Sequence, residues 1–299
     1  MRRGPGRPWS SRPSRWCWAW SGAGRPSGVP GTPGERELTQ ARQALARWAE
    51  AVRAAGGQEF SPVGELTGQL GSWEPAVGDN AKRALLAGRV IATPALATTP
   101  PTGGAVTWPG GATTPVPVLS AAQALQALVA AGHPDSCGGC TPLRVTGASL
   151  GTGPVPTTRG SAQAPVWRFS LAGSGVILTR VAVAANRTVT VTPPPWNAGD
   201  PPEGLSIDDA AVSANGTTLT VGFVGAPQPA SQPCGADYTG QAVESDTAVV
   251  VIILIDPHQG DDACGAVGAR RTATVPLARP LAGRAVLDVR QGLPVPVNP

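Results

Sequence analysis

Between Thr247 and Asp256 the chain reads Thr-Ala-Val-Val-Val-Ile-Ile-Leu-Ile-Asp, and no other stretch is as apolar or as β-branched. The residues from Val249 to Ile255 are all aliphatic, with no polar alternation. That is the pattern of a strand covered on both faces, because a one-sided surface strand alternates. The run therefore predicts a central strand with a packed layer on each side. A membrane-spanning helix does not fit, because Ala248 to Ile255 falls far short of the roughly 20 apolar residues needed to cross a bilayer.

Around this strand the pattern is all β. Ala210-Ala-Val-Ser-Ala runs into Asn215-Gly216, the strongest short hairpin signal, and Thr217 to Val224 returns. Tyr238 to Glu244 turns at Ser245-Asp246 into the central run, and strands at Thr272–Leu277, Arg284–Val289 and Pro294–Val297 follow. About seven short strands in about 100 residues is the count of a β-sandwich. Upstream, Leu38, Ala41, Ala44, Leu45, Trp48, Ala51 and Val52 form one apolar stripe on a helix ending at Gly56-Gly57, a cover for a sheet. A short helix follows near Gly78–Leu86, then strands at Gly88–Pro94 and Ala105–Trp108, and a helix Ala121–Ala131 capped by Ser120. Leu143–Leu150, Ala164–Leu171 and Val176–Val183 read as three more strands. The expected fold is α+β: residues 35–192 form an α+β domain, and residues 193–299 form a β-sandwich beyond the Pro-rich break at Thr192–Trp196. Residues 1–34, rich in Arg, Pro, Gly, Ser and Trp without periodicity, predict no ordered element.

A chain of 299 residues fits about two domains, and 41% hydrophobic content suffices for real cores. The net charge of +4 is no nucleic-acid footprint, because ten arginines fall between Arg2 and Arg53 and the rest are scattered. Of the 23 basic residues only Lys82 is lysine, and Ala, Gly and Pro abound. This is the mark of GC-rich codons and points to a high-GC bacterium.

Four of the five cysteines read as two pairs, Cys137 with Cys140 and Cys234 with Cys264, leaving Cys17 alone. Paired cysteines in a Cys-poor chain favour an oxidising, exported setting. With Ser245-Asp246 as a two-residue turn, residues whose numbers sum to 491 pair. Cys234 then lies opposite Pro257, and the following loop can fold back to bring Cys264 to it. Cys137-Gly-Gly-Cys140 has the spacing of a thioredoxin-like redox site, but a helix precedes it and a strand follows, the reverse of what activates the first thiol. A structural disulfide is the expectation there. His133 with these two cysteines would be a zinc alternative, but no second ligand pair stands at ordinary spacing.

The loop Asp256–Asp262, with three carboxylates and His258, lacks a calcium-loop spacing and reads as a solvated turn. Asp208-Asp209, Glu244 and Asp246 read as ordinary turn and strand-end carboxylates. P-loops and zinc-protease motifs are absent from the sequence, which names no catalytic residue, metal ligand or cofactor. Trp167, between Val166 and Phe169, reads as core. Of Trp108, Trp167 and Trp196, the last is the one expected to be exposed and available for stacking.

Two stretches resemble a group of uncharacterised exported or lipid-anchored proteins of actinobacteria. They are Cys140–Ala148 through Thr157–Phe169, and Cys234-Gly-Ala-Asp-Tyr238 through Pro280–Asp288. The resemblance covers about residues 35–299, implies an envelope location and brings no activity with it. The hairpin and helix at Ala105–Ala131 also resemble PepSY-type modules of extracytoplasmic regulators. The functional expectation is a non-catalytic binding or interaction module at the cell surface, partnered by an unknown envelope component, with no nucleic acid and with membrane attachment only through a lipid anchor. The alternative is an extracytoplasmic hydrolase with a carboxylate site between the domains. Export without an apolar leader is a contradiction that a frame error over Pro8–Ala23 would remove. Shifted by one base, Trp codons become Leu, Val or Met, and the stretch can end in a Leu-x-Gly-Cys lipoprotein cleavage site. A wrongly chosen start codon is the plainer explanation.

Overall fold

A computed structural model describes residues 33–74, 78–137, 139–260 and 263–298. The fold is α+β. Its helices are α1 (Glu35–Ala54), α2 (Gly78–Leu86) and α3 (Ala121–Ala130). The first sheet holds β1 (Thr67–Leu70), β2 (Val90–Ala92), β3 (Gly104–Thr107), β4 (Thr113–Val116), β5 (Leu143–Thr157), β6 (Gly160–Leu171) and β7 (Ile177–Val181). The second part of the chain contributes β8 (Ile207–Val212), β9 (Thr218–Gly225), β10 (Ala236–Glu244), β11 (Ala248–Pro257), β12 (Ala269–Pro276), β13 (Ala285–Asp288) and β14 (Val297–Asn298).

The first sheet is built on the long β5–β6 hairpin, which continues through Gly151–Ser161 where the sequence reading saw no strand. Pro154 and Pro156 hid it. They are tolerated because β2 covers β5 only along Leu143–Val145, and the segment beside Pro156 uses its carbonyl rather than an N–H, the Val63 N–H donating to the Pro156 oxygen at 2.8 Å. On one face Trp167, Phe169 and Leu178 pack under Leu125 and Leu128 of α3. On the other, Val106, Trp108, Val155 and Ala164 close around Phe60. Trp167 is core, as its neighbours implied, and its indole N–H donates to the Leu119 carbonyl at 2.8 Å. Trp108 is also buried, donating to Thr114 Oγ1 at 2.8 Å.

The second part is a sandwich of a three-stranded sheet, β10-β11-β13, on a four-stranded one, β12-β9-β8-β14. The central run is β11, and both of its faces are covered from Ala248 to Ile253; Leu254 is only half-buried and Ile255 is exposed, so the covered stretch ends before the apolar one. Val249, Val251 and Ile253 point into the sandwich with Val221, Phe223 and Val275. Ala248, Val250 and Ile252 point the other way, and what covers them is α1, through Ala41, Ala44 and Trp48. The two alanines, fully buried, let the helix lie close on the β-branched sheet. Helix α1 is thus adjacent in sequence to the first sheet but belongs in space to the second, giving a helix–sheet–sheet stack. A division at residue 192 separates α1 from the elements that it packs against.

The hairpin register differs from the expected one. Glu244 pairs with Val249 and Ala236 with Pro257, so the turn is Asp246-Thr247. The Ser245 hydroxyl accepts the Ala248 N–H at 3.1 Å, and the Ser245 N–H donates to the Ala248 carbonyl at 2.8 Å, drawing Ser245 into the ladder. A slip of two residues leaves every side chain on its face, which is why the prediction of two covered faces survived it. At the other hairpin the loop spans four residues, because Ser213 and Thr218 still pair, and Gly216 supplies the positive φ.

Candidate functional site

Along one flank of α1, beside the stripe that packs on β11, Arg36, Gln40, Gln43 and Arg47 recur at intervals of four, three and four, which makes them one continuous ridge. Opposite this ridge runs the segment Pro193–Pro202. Its three consecutive prolines lack N–H groups and so cannot pair as a strand; they hold the chain extended instead. An Asx turn follows, with the Gly199 N–H donating to Asn197 Oδ1 at 2.9 Å. Arg36 anchors this segment to α1 through ion pairs with Asp200 and, at 2.6 Å, Glu203; the Glu203 N–H donates to Gln40 Oε1 at 3.0 Å. These pairs are exposed and set position more than stability.

Ridge, Pro-rich segment and the turn Val289–Gln291 after β13 enclose an open cleft of about 1150 Å³. Trp196 lines it and is 62% exposed, as its linker position implied. Beneath the turn, Asp288 accepts the N–H groups of Arg290 at 2.5 Å and Gln291 at 3.4 Å. Burial pushes its carboxyl above the usual aspartate value, and these N–H groups, Ser206 and Arg290 offset that only in part. Arg47 lies against the same turn, and a side chain at Gly292 would collide with its guanidinium. Its Nε is buried without a hydrogen-bond partner, and desolvation lowers its pKa.

The residues singled out from the sequence lie elsewhere. Cys137 and Cys140 are paired, 5.8 Å apart at Cα, and are buried with Ala84 and Ala87. The disulfide closes the loop between α3 and β5 and packs against the end of α2. Cys234 and Cys264 are paired, 5.5 Å apart at Cα. The φ of 59° at Cys234 turns the chain just outside the β10–β11 ladder. His133 precedes the short 3-10 turn Pro134–Ser136, and its N–H donates to the Leu86 carbonyl. His258 Nδ1 lies 2.8 Å from the Ala230 carbonyl. Asp261, Asp262 and the stretch Pro8–Ala23 lie outside the described residues. Among the described residues no three His, Cys, Asp or Glu side chains cluster as metal ligands.

The carboxylates read as ordinary turn residues prove to be ion-paired. Arg270 bridges Asp208 and Asp209, Arg279 holds Asp246, and Glu244 meets Arg284 in a pair that is largely buried. Of the cleft residues, only Trp196 is marked by its local sequence; the polar ridge on α1 is legible as a spacing of four, three and four beside the apolar stripe.

Chemically the arrangement offers one exposed aromatic plate, several neutral amides and one desolvated cation. Of the two acids in its lining, Asp200 is engaged by Arg36 and Glu35 stands exposed in the first turn of α1. No known protein family, curated protein or solved structure matches the chain.

Proposed function

We propose that the protein is a non-catalytic binding module of the bacterial cell envelope and that the cleft beside α1 is its binding site. The observation that carries this is the exposed Trp196 in an open, mixed-polarity cleft where Arg36 takes up Asp200 and the neighbouring Glu203, which leaves Glu35 as a lone acid in the lining rather than one of a pair. An exposed indole costs solvation and is a common anchor for ligands. A hydrolase of the carboxylate type needs a pair of acids free to exchange protons with substrate, and the ion pairs argue against that alternative. Two disulfide pairs support an exported location. Among the described residues no helix is long and apolar enough to cross a membrane.

The test is co-sedimentation of the purified chain with isolated bacterial envelopes, comparing the wild type with Trp196→Ala and with Val224→Ala, an exposed apolar control on β9. Loss of binding in Trp196→Ala alone is expected. Equal binding by all three, or turnover of envelope material, defeats the reading.

A further inference from the structure

Resting on the binding-module reading, we infer that the cleft takes an acidic oligosaccharide, with one sugar ring packed on the Trp196 indole and a sugar carboxylate held by Arg47. A pyranose ring offers a C–H face that packs on an aromatic plate and a rim of hydroxyls that pair with amides. Trp196 supplies the plate, and Gln43, Asn197 and Gln291 line the same cleft with amide groups. It is open and partly polar, which suits a hydrated ligand better than an apolar one.

Arg47 supplies the sign of the charge. Its guanidinium lines the cleft with no acid paired to it among the described residues, and although Nε is shut off from solvent and ligand alike, a carboxylate in the cleft would meet the terminal N–H groups. Arg36, by contrast, already spends its fork on Asp200 and Glu203. Other occupants fit less well. A Pro-rich peptide needs several aromatic side chains forming its groove, and Trp196 is the one aromatic in this lining. A nucleic acid needs a run of unpaired cations. Of the lining cations, Arg36 is paired, leaving Arg47 and Arg290.

Calorimetric titration of the full chain against two acid sources distinguishes where the carboxylate comes from. The panels are oligouronates of several linkages, and peptidoglycan-type fragments bearing a lactyl carboxylate, each beside its carboxyl-reduced neutral form. Acid forms in one panel are expected to bind about tenfold more tightly than reduced forms. Trp196→Ala should weaken both by about tenfold or more. Arg47→Gln should equalise acid and reduced forms while leaving the reduced form's affinity and the thermal midpoint near wild type. Equal affinity for acid and reduced sugars overturns the inference, as does an acid preference that survives Arg47→Gln. If no sugar binds while envelope binding still depends on Trp196, the inference fails and the binding-module reading stands. If envelope binding ignores Trp196, both fail.

Discussion

Arg284 is only 5% exposed, and its guanidinium is spent entirely within the fold. It meets Glu244 at 2.6 Å and donates to the carbonyls of Arg279 at 2.7 Å and Pro280 at 3.0 Å, tying the turn before β13 to the end of the β10–β11 hairpin. Arg284→Ala removes the guanidinium from the largely buried Glu244, which keeps the Ala278 N–H, and a loss of about 1.5–3 kcal/mol in urea denaturation is expected. Adding Glu244→Gln should restore part of that loss, because the stranded charge is then gone. Two buried acids set opposite pH dependences. Burial alone would raise the Glu244 pKa, but the Ala278 N–H, Arg284 and Arg279 outweigh it, and the folded value lies below the usual 4.5. Its stabilisation is therefore full above that pH and is lost as pH falls through the lowered folded value. Asp288 is shifted upward by burial, so its contribution is full below the usual 3.8 and is lost as pH rises through the raised folded value. Asp288→Asn, which keeps an oxygen for the Arg290 and Gln291 N–H groups, should raise the thermal midpoint near pH 7 and leave it unchanged near pH 3. A midpoint that drops at neutral pH would contradict the burial argument.

Helices α2 and α3 meet end to end through two glycines. Gly88, with φ 66°, and Gly132 close the two helices, and a Cβ on Gly132 would overlap the Gly88 backbone nitrogen. The His133 N–H completes the junction by donating to the Leu86 carbonyl at 2.7 Å. From the sequence Gly132 signals only the end of a helix; that a second backbone lies against it is settled by packing. Gly132→Ala is expected to cost about 1–3 kcal/mol, the range for forcing extra atoms into a packed site. Gly139→Ala, which has open space around it, serves as control. Comparable melting curves for the two variants would show the helix junction to be soft. The same contrast runs through other elements. Spacings of three and four gave α1 its stripe, and the Ser120 cap gave α3 its start. The length of β5 was obscured by prolines that are acceptable because the chain beside them asks for a carbonyl and not an N–H.

Over the whole molecule, the apolar face of β11 that α1 covers ties residues 35–54 to a sheet roughly 200 residues further along the chain. A fragment of residues 193–299 alone leaves Val250, Ile252 and Leu287 bare and should aggregate, whereas adding a peptide of residues 33–56 in trans should recover a soluble, cooperatively unfolding complex. A soluble, folded 193–299 fragment without the peptide would refute the layering. The Cys234–Cys264 bond spans 30 residues and closes the open end of the same hairpin; its loss should cost about 3 to 4 kcal/mol by chain entropy, read as a shift in the denaturation midpoint under reduction. The sequence by itself determined that β11 is buried on both faces, that the cysteines pair as they do, that Trp167 is core and Trp196 exposed, and that the fold is α+β. These follow from local composition and from periodicity, which a short window contains. Tertiary structure alone decided that the covering layer is α1, that Arg284 is buried against Glu244, and that the Arg36–Arg47 ridge, the Pro-rich segment and the Asp288 turn meet in one cleft. Each of those depends on packing between segments far apart in the chain, and no spacing within one segment encodes its distant partner.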